Sequence, residues 1–277
     1  MCSACSALRV VAASWLIWAF APIGIANSPA FRVCADPNNL PYSNQRQEGF
    51  ENAIAALLAG DLGQPLEYVW QPQRRGFIRT TLNAGRCDVV IGVPSGYELA
   101  ETTRPYYTST FVFVSQHARH LRLRSFDDPR LAHLVVGIQI TGEGYSNPPP
   151  ARAFAARRLV DNVRGFPVFG DYSDAAPQKA IIDAVAAGRV DTAVVWGPLA
   201  GYFAARSAVP LDIEPVTPAV DRFSLPFTFG MSMGVRKGDT ALRLKLDAAI
   251  GRRHGDIDAM LRRFGVPLVD RAGGFRS

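Results

Sequence analysis

Histidine and cysteine are scarce in this chain, and the scarcity limits its chemistry. The four histidines, His117, His120, His133 and His254, are spread over 277 residues. Only His117 and His120 are close, with no acid beside them in sequence, so a metal-ligand cluster of the usual spacing is missing. Phosphate-cradling loops are missing too: GIQITGEG carries glycines after a strand, but not the G-x-G-x-x-G spacing of a nucleotide site. There is no G-x-S-x-G elbow of a serine hydrolase. No motif interleaves aromatic and basic residues for nucleic acid, and no long apolar run follows residue 26 to hold the chain in a bilayer. No catalytic residue, metal or cofactor is therefore assigned, and nucleic acid is not expected as a partner.

What is present begins at the N-terminus. Residues 1–26 carry one charge, Arg9, then the run VVAASWLIWAFAPIGIA with small residues at its end. That is the pattern of a secretory signal peptide. A membrane anchor is the alternative, but the run is short for a span and holds Pro22. Cleavage near Ala26 places the mature chain in the periplasm, without stable membrane insertion, and removes Cys2 and Cys5. Cys34 and Cys87 remain, an even pair in an oxidising compartment. The mature chain stays basic, its arginines spread rather than in runs, with Arg-Arg pairs starting at 74, 157, 252 and 262. Solvated basic faces explain this, as does docking to an acidic protein.

The mature sequence alternates strand and helix patterns. FRVCAD reads as a strand, GFENAIAALLAGDLG as an amphipathic helix ending at glycine, PLEYVW as a strand, RRGFIRTTLNAG as a helix and DVVIGV as a strand. After residue 115 the order returns: HLVVGIQI, PARAFAARRLV, GFPVFG, APQKAIIDAVAAG and TAVVW. Two turns match closely, NAGRCDVVIGVP and AAGRVDTAVVWGP, with Gly85 to Gly188 spaced like Asp88 to Asp191. This is α/β grammar used twice. Lobe I is expected over 27–112 and 228–277 and lobe II over 113–227, joined by two crossover segments, YYTSTFVFVSQ and DRFSLPFTFGMSMGVRKGD. The C-terminal helices KLDAAIGRRHGDIDAMLRRFG should pack back on lobe I. Cys34 and Cys87, on neighbouring strands of lobe I, are expected to form a disulfide stapling the first strand to the third; two buried free thiols are the alternative.

The ordered set CADPNNLPYS, GRCDVVIG, RPYY, GRVDTAVV, GVRKGDTALRLKLDAAI and GDIDAMLRRFG resembles the bilobal extracellular solute-binding proteins that bind amino acids for ABC importers. The resemblance covers most of the mature chain and implies the two-lobed periplasmic binding protein fold of type II. More narrowly, NPPPARAFA, DNVRGFPVFGDY and VVWGPLAGYFA resemble the MoxJ/XoxJ-type proteins. That resemblance implies a non-enzymatic accessory or maturation partner of a quinoprotein methanol or alcohol dehydrogenase. An importer receptor for a small organic solute is the alternative, and a dehydratase of the same fold, with Asp36 and Glu143 as its acids, a third.

In such sheets ligands sit beyond the carboxyl ends of the strands. The candidate cleft or partner-binding residues are Asp36, Asn39, Tyr42, Trp70, Arg74, Ser95, Tyr106, Thr141 and Trp196. The resemblance also marks what has gone. Counting back from Pro105, Gly96 stands where amino-acid binders place an arginine for the ligand carboxylate, and Trp196, Gly197 and Pro198 offer no acid for the ammonium. Asn39 replaces a stacking aromatic, while Tyr42 is kept. A zwitterion in a partly dry cleft needs both charge partners. NPPP reads as a stiff loop opening a helix or as a docking element; its prolines have no N–H for an anion. Arg74, Arg75 and Arg79 line the cleft mouth or form a solvated face. Trp70 and Trp196 end strands on opposite lobes, as core or as cleft residues. Asp36 is expected to brace its own proline-rich loop.

Overall fold

The computed structural model describes residues 29–141, 147–169, 171–269 and 275. The expected signal segment and Glu143 lie outside them. The first lobe is built from β1 (Phe31–Ala35), α1 (Phe50–Leu62), β2 (Leu66–Trp70), a short α2 (Phe77–Thr80) and β3 (Val89–Pro94). The long strand β4 (Tyr107–Gln116) leaves it. The second lobe holds β5 (Val136–Ile140), α3 (Pro149–Ala156), β6 (Val163–Pro167), α4 (Ala180–Ala186), β7 (Thr192–Trp196), α5 (Gly197–Ala204) and β8 (Leu211–Pro215). β9 (Thr228–Val235) returns to the first lobe, which α6 (Thr240–Arg252) and α7 (His254–Arg263) complete. Among the described residues no helix is long and apolar enough to cross a membrane.

The strands run in the order β2-β1-β3-β9-β4-β7-β5-β6, with β8 also on β4. β1 lies between two parallel partners, β2 and β3, and β5 between β7 and β6 in the same way. Each lobe thus has a parallel three-stranded core joined by antiparallel strands, β9 on β3 and β4 on β7, and its central strands, covered on both faces, read as continuous apolar runs. β4 links the lobes: Tyr107–Thr110 pair with β9, while Phe111–Ser115 pair with β7 and Val112–Gln116 with β8. Its sequence, YTSTFVFVSQ, is β-branched and aromatic throughout and almost wholly buried.

The repeated turn has the same geometry in both lobes. Gly85 and Gly188 sit at φ 72° and 68°, a left-handed conformation that glycine adopts without penalty. Three residues later an aspartate ties the turn to the neighbouring strand. Asp88 donates its N–H to Arg32 O, and Asp191 donates to Val135 O, both at 2.8 Å. Asp88 also accepts from the Arg32 guanidinium at 2.7 and 3.0 Å, and Asp191 accepts from the Val135 N–H at 2.6 Å. One chain uses the unit twice because each lobe must end a helix and dock its third strand on its first.

Helix α1 buries Phe50, Ile54 and Leu58 against Phe31, Val33 and Ile91, and the C-terminal helices add Leu246, Ile250, Ile257 and Leu261 to that core. In the second lobe Phe113, Phe126, Leu131, Phe154 and Phe227 fill one face of the sheet. Three elements differ from the sequence reading. The helix expected over 74–85 is regular only over Phe77–Thr80, because the Thr81 hydroxyl donates back to Phe77 O at 2.6 Å and the chain turns. Strand β8 and helix α5 were not expected. In α5 the glycines of GPLAGYFA suggest a loop, yet they serve close approach: a Cβ on Gly201 would run into the Gly265 carbonyl.

Cys34 and Cys87 form a disulfide with Cα atoms 5.5 Å apart, closing a loop of 53 residues beneath Leu82 and Val90. Cys34 is on β1, and Cys87 stands just before β3. For a loop of that length, chain entropy gives a ceiling of about 4 kcal/mol. Cys34→Ser with Cys87→Ser should lose about 2–4 kcal/mol in urea unfolding, and the denatured, unreduced mature protein should show no titratable thiol from this pair.

Candidate functional site

Between the lobes, at the carboxyl ends of β1 and β7, lies a cavity of about 250 Å³. Asp36, Asn39, Tyr42 and Gln73 line it from the first lobe. Gln139, Val168, Phe169, Tyr172, Gln178 and Trp196 line it from the second, and Phe111 lies on the crossing strand. The local sequence explains the placement. β1 ends at Ala35 and Asp36 turns the chain, its Oδ1 accepting the Asn38 N–H at 2.8 Å. That is the brace expected of an aspartate before proline.

Asp36 does more than brace its loop. Its Oδ2 accepts the Gln73 N–H at 2.7 Å and the hydroxyl of Tyr172 from the opposite lobe. Asn38 donates from Nδ2 to the carbonyls of Tyr172 and Asp174 at 3.3 and 2.7 Å. Arg74 places its guanidinium over the rings of Phe169 and Tyr172, 5.5 and 5.1 Å from their centres. The segment after β6 therefore lies across the cleft and is tied down on the first lobe. Burial and the bond to the Asp36 carboxylate push the Tyr172 phenol up.

Asp36, Asn39, Tyr42 and Trp196 converge on the cavity, and Arg74 reaches its neighbourhood through Tyr172. Trp196 meets Phe111 and Phe229 edge-on, with ring centres 5.2 and 5.9 Å apart. The remaining expected residues lie elsewhere. Trp70 stacks on Tyr68 at 4.5 Å, against the first core. Ser95 shares a hydrogen bond with Ser232 at 2.7 Å and donates to Gly230 O at 3.0 Å, joining β3 to β9. Thr141 donates to the Asn147 side chain at 3.4 Å, beside the three prolines. Tyr106 is buried against Tyr107. His117 does have an acid near it in space, Asp212 at 2.7 Å, supplied by the unforeseen β8. Among the described residues no group of three or more His, Cys, Asp or Glu could hold a metal.

Sequence reading missed Gln73, Phe111, Gln139, Phe169 and Tyr172, because each reaches the cavity through a contact distant in sequence. It also missed Glu51. An acid in the first turn of α1 looks ordinary, favoured there by the helix dipole, but Glu51 is buried. A Cβ at Gly92 would run into its carboxyl group. Glu51 lies among Tyr42, Tyr68, Tyr106 and Tyr107, whose phenols are pushed up first by burial, and among the described residues the hydroxyls of Tyr106 and Tyr107 have no hydrogen-bond partner. Burial, reinforced by the charge of Asp36, pushes the Glu51 carboxyl up to about 8.

The cavity is thus lined by aromatic rings and side-chain amides, with one carboxylate whose oxygens are engaged. No lining residue is basic. Gly96 gives only its N–H, to Thr102 Oγ1 at 3.1 Å. Such a site can hold a small uncharged polar group or present rings to an apolar one, and it cannot neutralise a bound carboxylate.

A two-lobed α/β molecule with a cleft at the carboxyl ends of its strands is a binding-protein scaffold. The chain belongs to the bacterial extracellular solute-binding proteins, family 3, whose profile matches residues 31–266. It is 32% identical to Protein MoxJ of Methylorubrum extorquens over 245 residues, 86% of this chain and 81% of that one. The crystal structure of periplasmic binding protein XoxJ from Methylobacterium extorquens is 33% identical. The match has a TM-score of 0.71 and covers 87% of this chain and 100% of that chain. MxaJ from Methlophaga aminisulfidivorans is 26% identical, with a TM-score of 0.76 and the same coverages.

Two outcomes follow from this chemistry. The unfolded chain releases the Glu51 proton near 4.5 and the folded chain near 8. The folded state therefore binds more protons between these values, and this group's contribution to stability falls as pH rises across that window. Glu51→Gln should raise the melting temperature by several degrees at pH 8, with the gain shrinking toward pH 5, as read by thermal melts across that range. Free amino acids should give no thermal shift, although a ligand at 100 times its Kd would add about 2.7 kcal/mol. A clear shift with any common amino acid would reverse the reading of the cleft.

Proposed function

We propose that this chain is a periplasmic accessory or maturation protein of a quinoprotein alcohol dehydrogenase, with methanol dehydrogenase the first partner to test. In this role it holds the dehydrogenase polypeptide and catalyses nothing itself. The observation that carries this reading is the state of the cleft. Its one lining carboxylate is taken up by the chain's own Tyr172 and backbone, and no lining residue pairs with a carboxylate. The similarity to proteins named MoxJ and XoxJ supports the same direction. A basic chain meeting an acidic partner associates faster at low salt and slower as the Debye length shrinks. In this reading Asp36, Asn39, Tyr42 and Trp196 set how the lobes close, and the lobe faces beside them meet the partner.

The residual cavity favours one alternative, a receptor for a small uncharged solute delivered to an importer. Deleting the gene separates the two. The accessory role predicts lower periplasmic dye-linked methanol dehydrogenase activity per dehydrogenase molecule, with polypeptide and pyrroloquinoline quinone both present, and a complex recovered by cross-linking at low salt. Normal specific activity with no cross-linked complex removes the accessory role and leaves the receptor.

A further inference from the structure

Beside the cleft, on the first lobe, lies a larger groove of about 680 Å³ that none of the contacts described so far explains. Its rim carries Arg74, Arg75 and Arg79, and no acidic residue lines it. Its floor is apolar: Phe77 and Ile78 from α2, Val90 and Val93 from β3, then Tyr97 and Leu99. Phe169 from the second lobe closes one end. Leu99 is 44% exposed, an apolar side chain left in water at the groove's open side.

The rim arginines have no acid beside them in the groove, whereas several arginines on other faces do. Arg32 is matched by Asp88, Arg157 by Asp127 and Asp221, and Arg243 by Glu101 and Asp247. Arg74 and Arg79 form no ion pair among the described residues, and Arg74 has only the rings of Phe169 and Tyr172 beneath it. A guanidinium is shaped for two-pronged bonds to a carboxylate. A free anion would use the rim and leave the floor wet. A purely apolar segment would fill the floor and leave Arg74 and Arg79 without a carboxylate.

We propose that this groove docks an extended segment of a partner protein in which an acidic residue stands next to an aromatic or aliphatic one, the acid on the arginine rim and the apolar side chain on Tyr97 and Leu99. This deepens the accessory reading and rests on it, since it supplies the contact through which the dehydrogenase chain is held. Arg74 links the two sites: a carboxylate drawing its guanidinium onto the rim competes with the Phe169 and Tyr172 rings that hold the cleft shut.

The test titrates the mature chain, by fluorescence anisotropy, against labelled Gly-Asp-Phe-Asp-Leu-Gly. A version with Lys for Asp and a version with Ser for Phe and Leu are run beside it. Only the first should bind. Its affinity should fall with salt, and by about tenfold or more in Arg74→Gln/Arg79→Gln and separately in Leu99→Ser. Arg79→Gln alone and Leu99→Ser should leave the melting temperature near that of the parent, whereas the double variant also loses the contact of Arg74 with the Phe169 and Tyr172 rings, so Arg79→Gln alone is titrated beside it and should weaken binding too. No binding, equal binding of either control, or full binding by the double variant overturns the groove. Cross-linking to the dehydrogenase is measured on the same proteins. Its loss in the double variant supports the proposal, and unchanged cross-linking removes the groove as the contact while the accessory reading stands. If the parent chain fails to cross-link yet binds the peptide selectively, the accessory reading fails and the groove's ligand chemistry is upheld.

Discussion

The Asp36 carboxylate is the constraint on which the cleft depends. It is almost completely buried and its two oxygens receive three donors, from Asn38, from Gln73 and from Tyr172 of the other lobe. A buried charge is tolerable only when its lone pairs are matched in this way. The two backbone bonds fix the loops after β1 and β2. The third partner must then come from across the cleft, and the chain supplies its own tyrosine. Lobe closure is therefore tied to the solvation of one carboxylate rather than to the arrival of a solute.

Glu51 is held by the same circumstance. It lies in the first turn of α1, among Tyr42, Tyr68, Tyr106 and Tyr107, without the donors that Asp36 enjoys. Where one site can solvate one negative charge, a second carboxyl nearby keeps its proton. The first lobe thus gives its two acids different tasks: Asp36 closes the cleft through its three donors, and Glu51, pushed toward its neutral form, packs. Gly92 leaves room for the neutral one, since any side chain there would displace it.

Much of the fold was legible because parallel strands covered on both faces leave uninterrupted β-branched runs, as in TAVVW and VVIGV, and because turns ending in Gly-Arg-x-Asp mark where such strands begin. The crossing strand was legible for the same reason. Helix α5 was hidden because glycine in sequence signals a turn, whereas Gly197 and Gly201 are there for contact with Thr110 and Gly265. The site was only partly legible. Asp36, Tyr42 and Trp196 follow from the rule that clefts gather at strand ends. Tyr172 does not, because its bond to Asp36 spans 136 residues and starts from a loop. Glu51 carries no sequence signal, since its burial is decided by four rings that come from three separate segments.

The missing charge partners are also fixed in the backbone, which makes the departure from amino-acid binding more than a pair of substitutions. Gly96 sits at φ 73°, where an arginine would carry a strain of roughly 1–2 kcal/mol. After β7 the acid's place is closed in another way. Trp196 caps α5, Pro198 follows at once, and a Cβ on Gly197 would come within 2.6 Å of the Thr110 carbonyl on the crossing strand. The close approach of α5 to β4 leaves no room for a side chain at Gly197. Lobes, hinge strands and cleft are in place, while Gly197 stands in close contact with the crossing strand and Gly96 has open space around it. The cleft thus offers lobe contacts made by its own chain, through Asp36 and Tyr172, where a zwitterion would need charge partners.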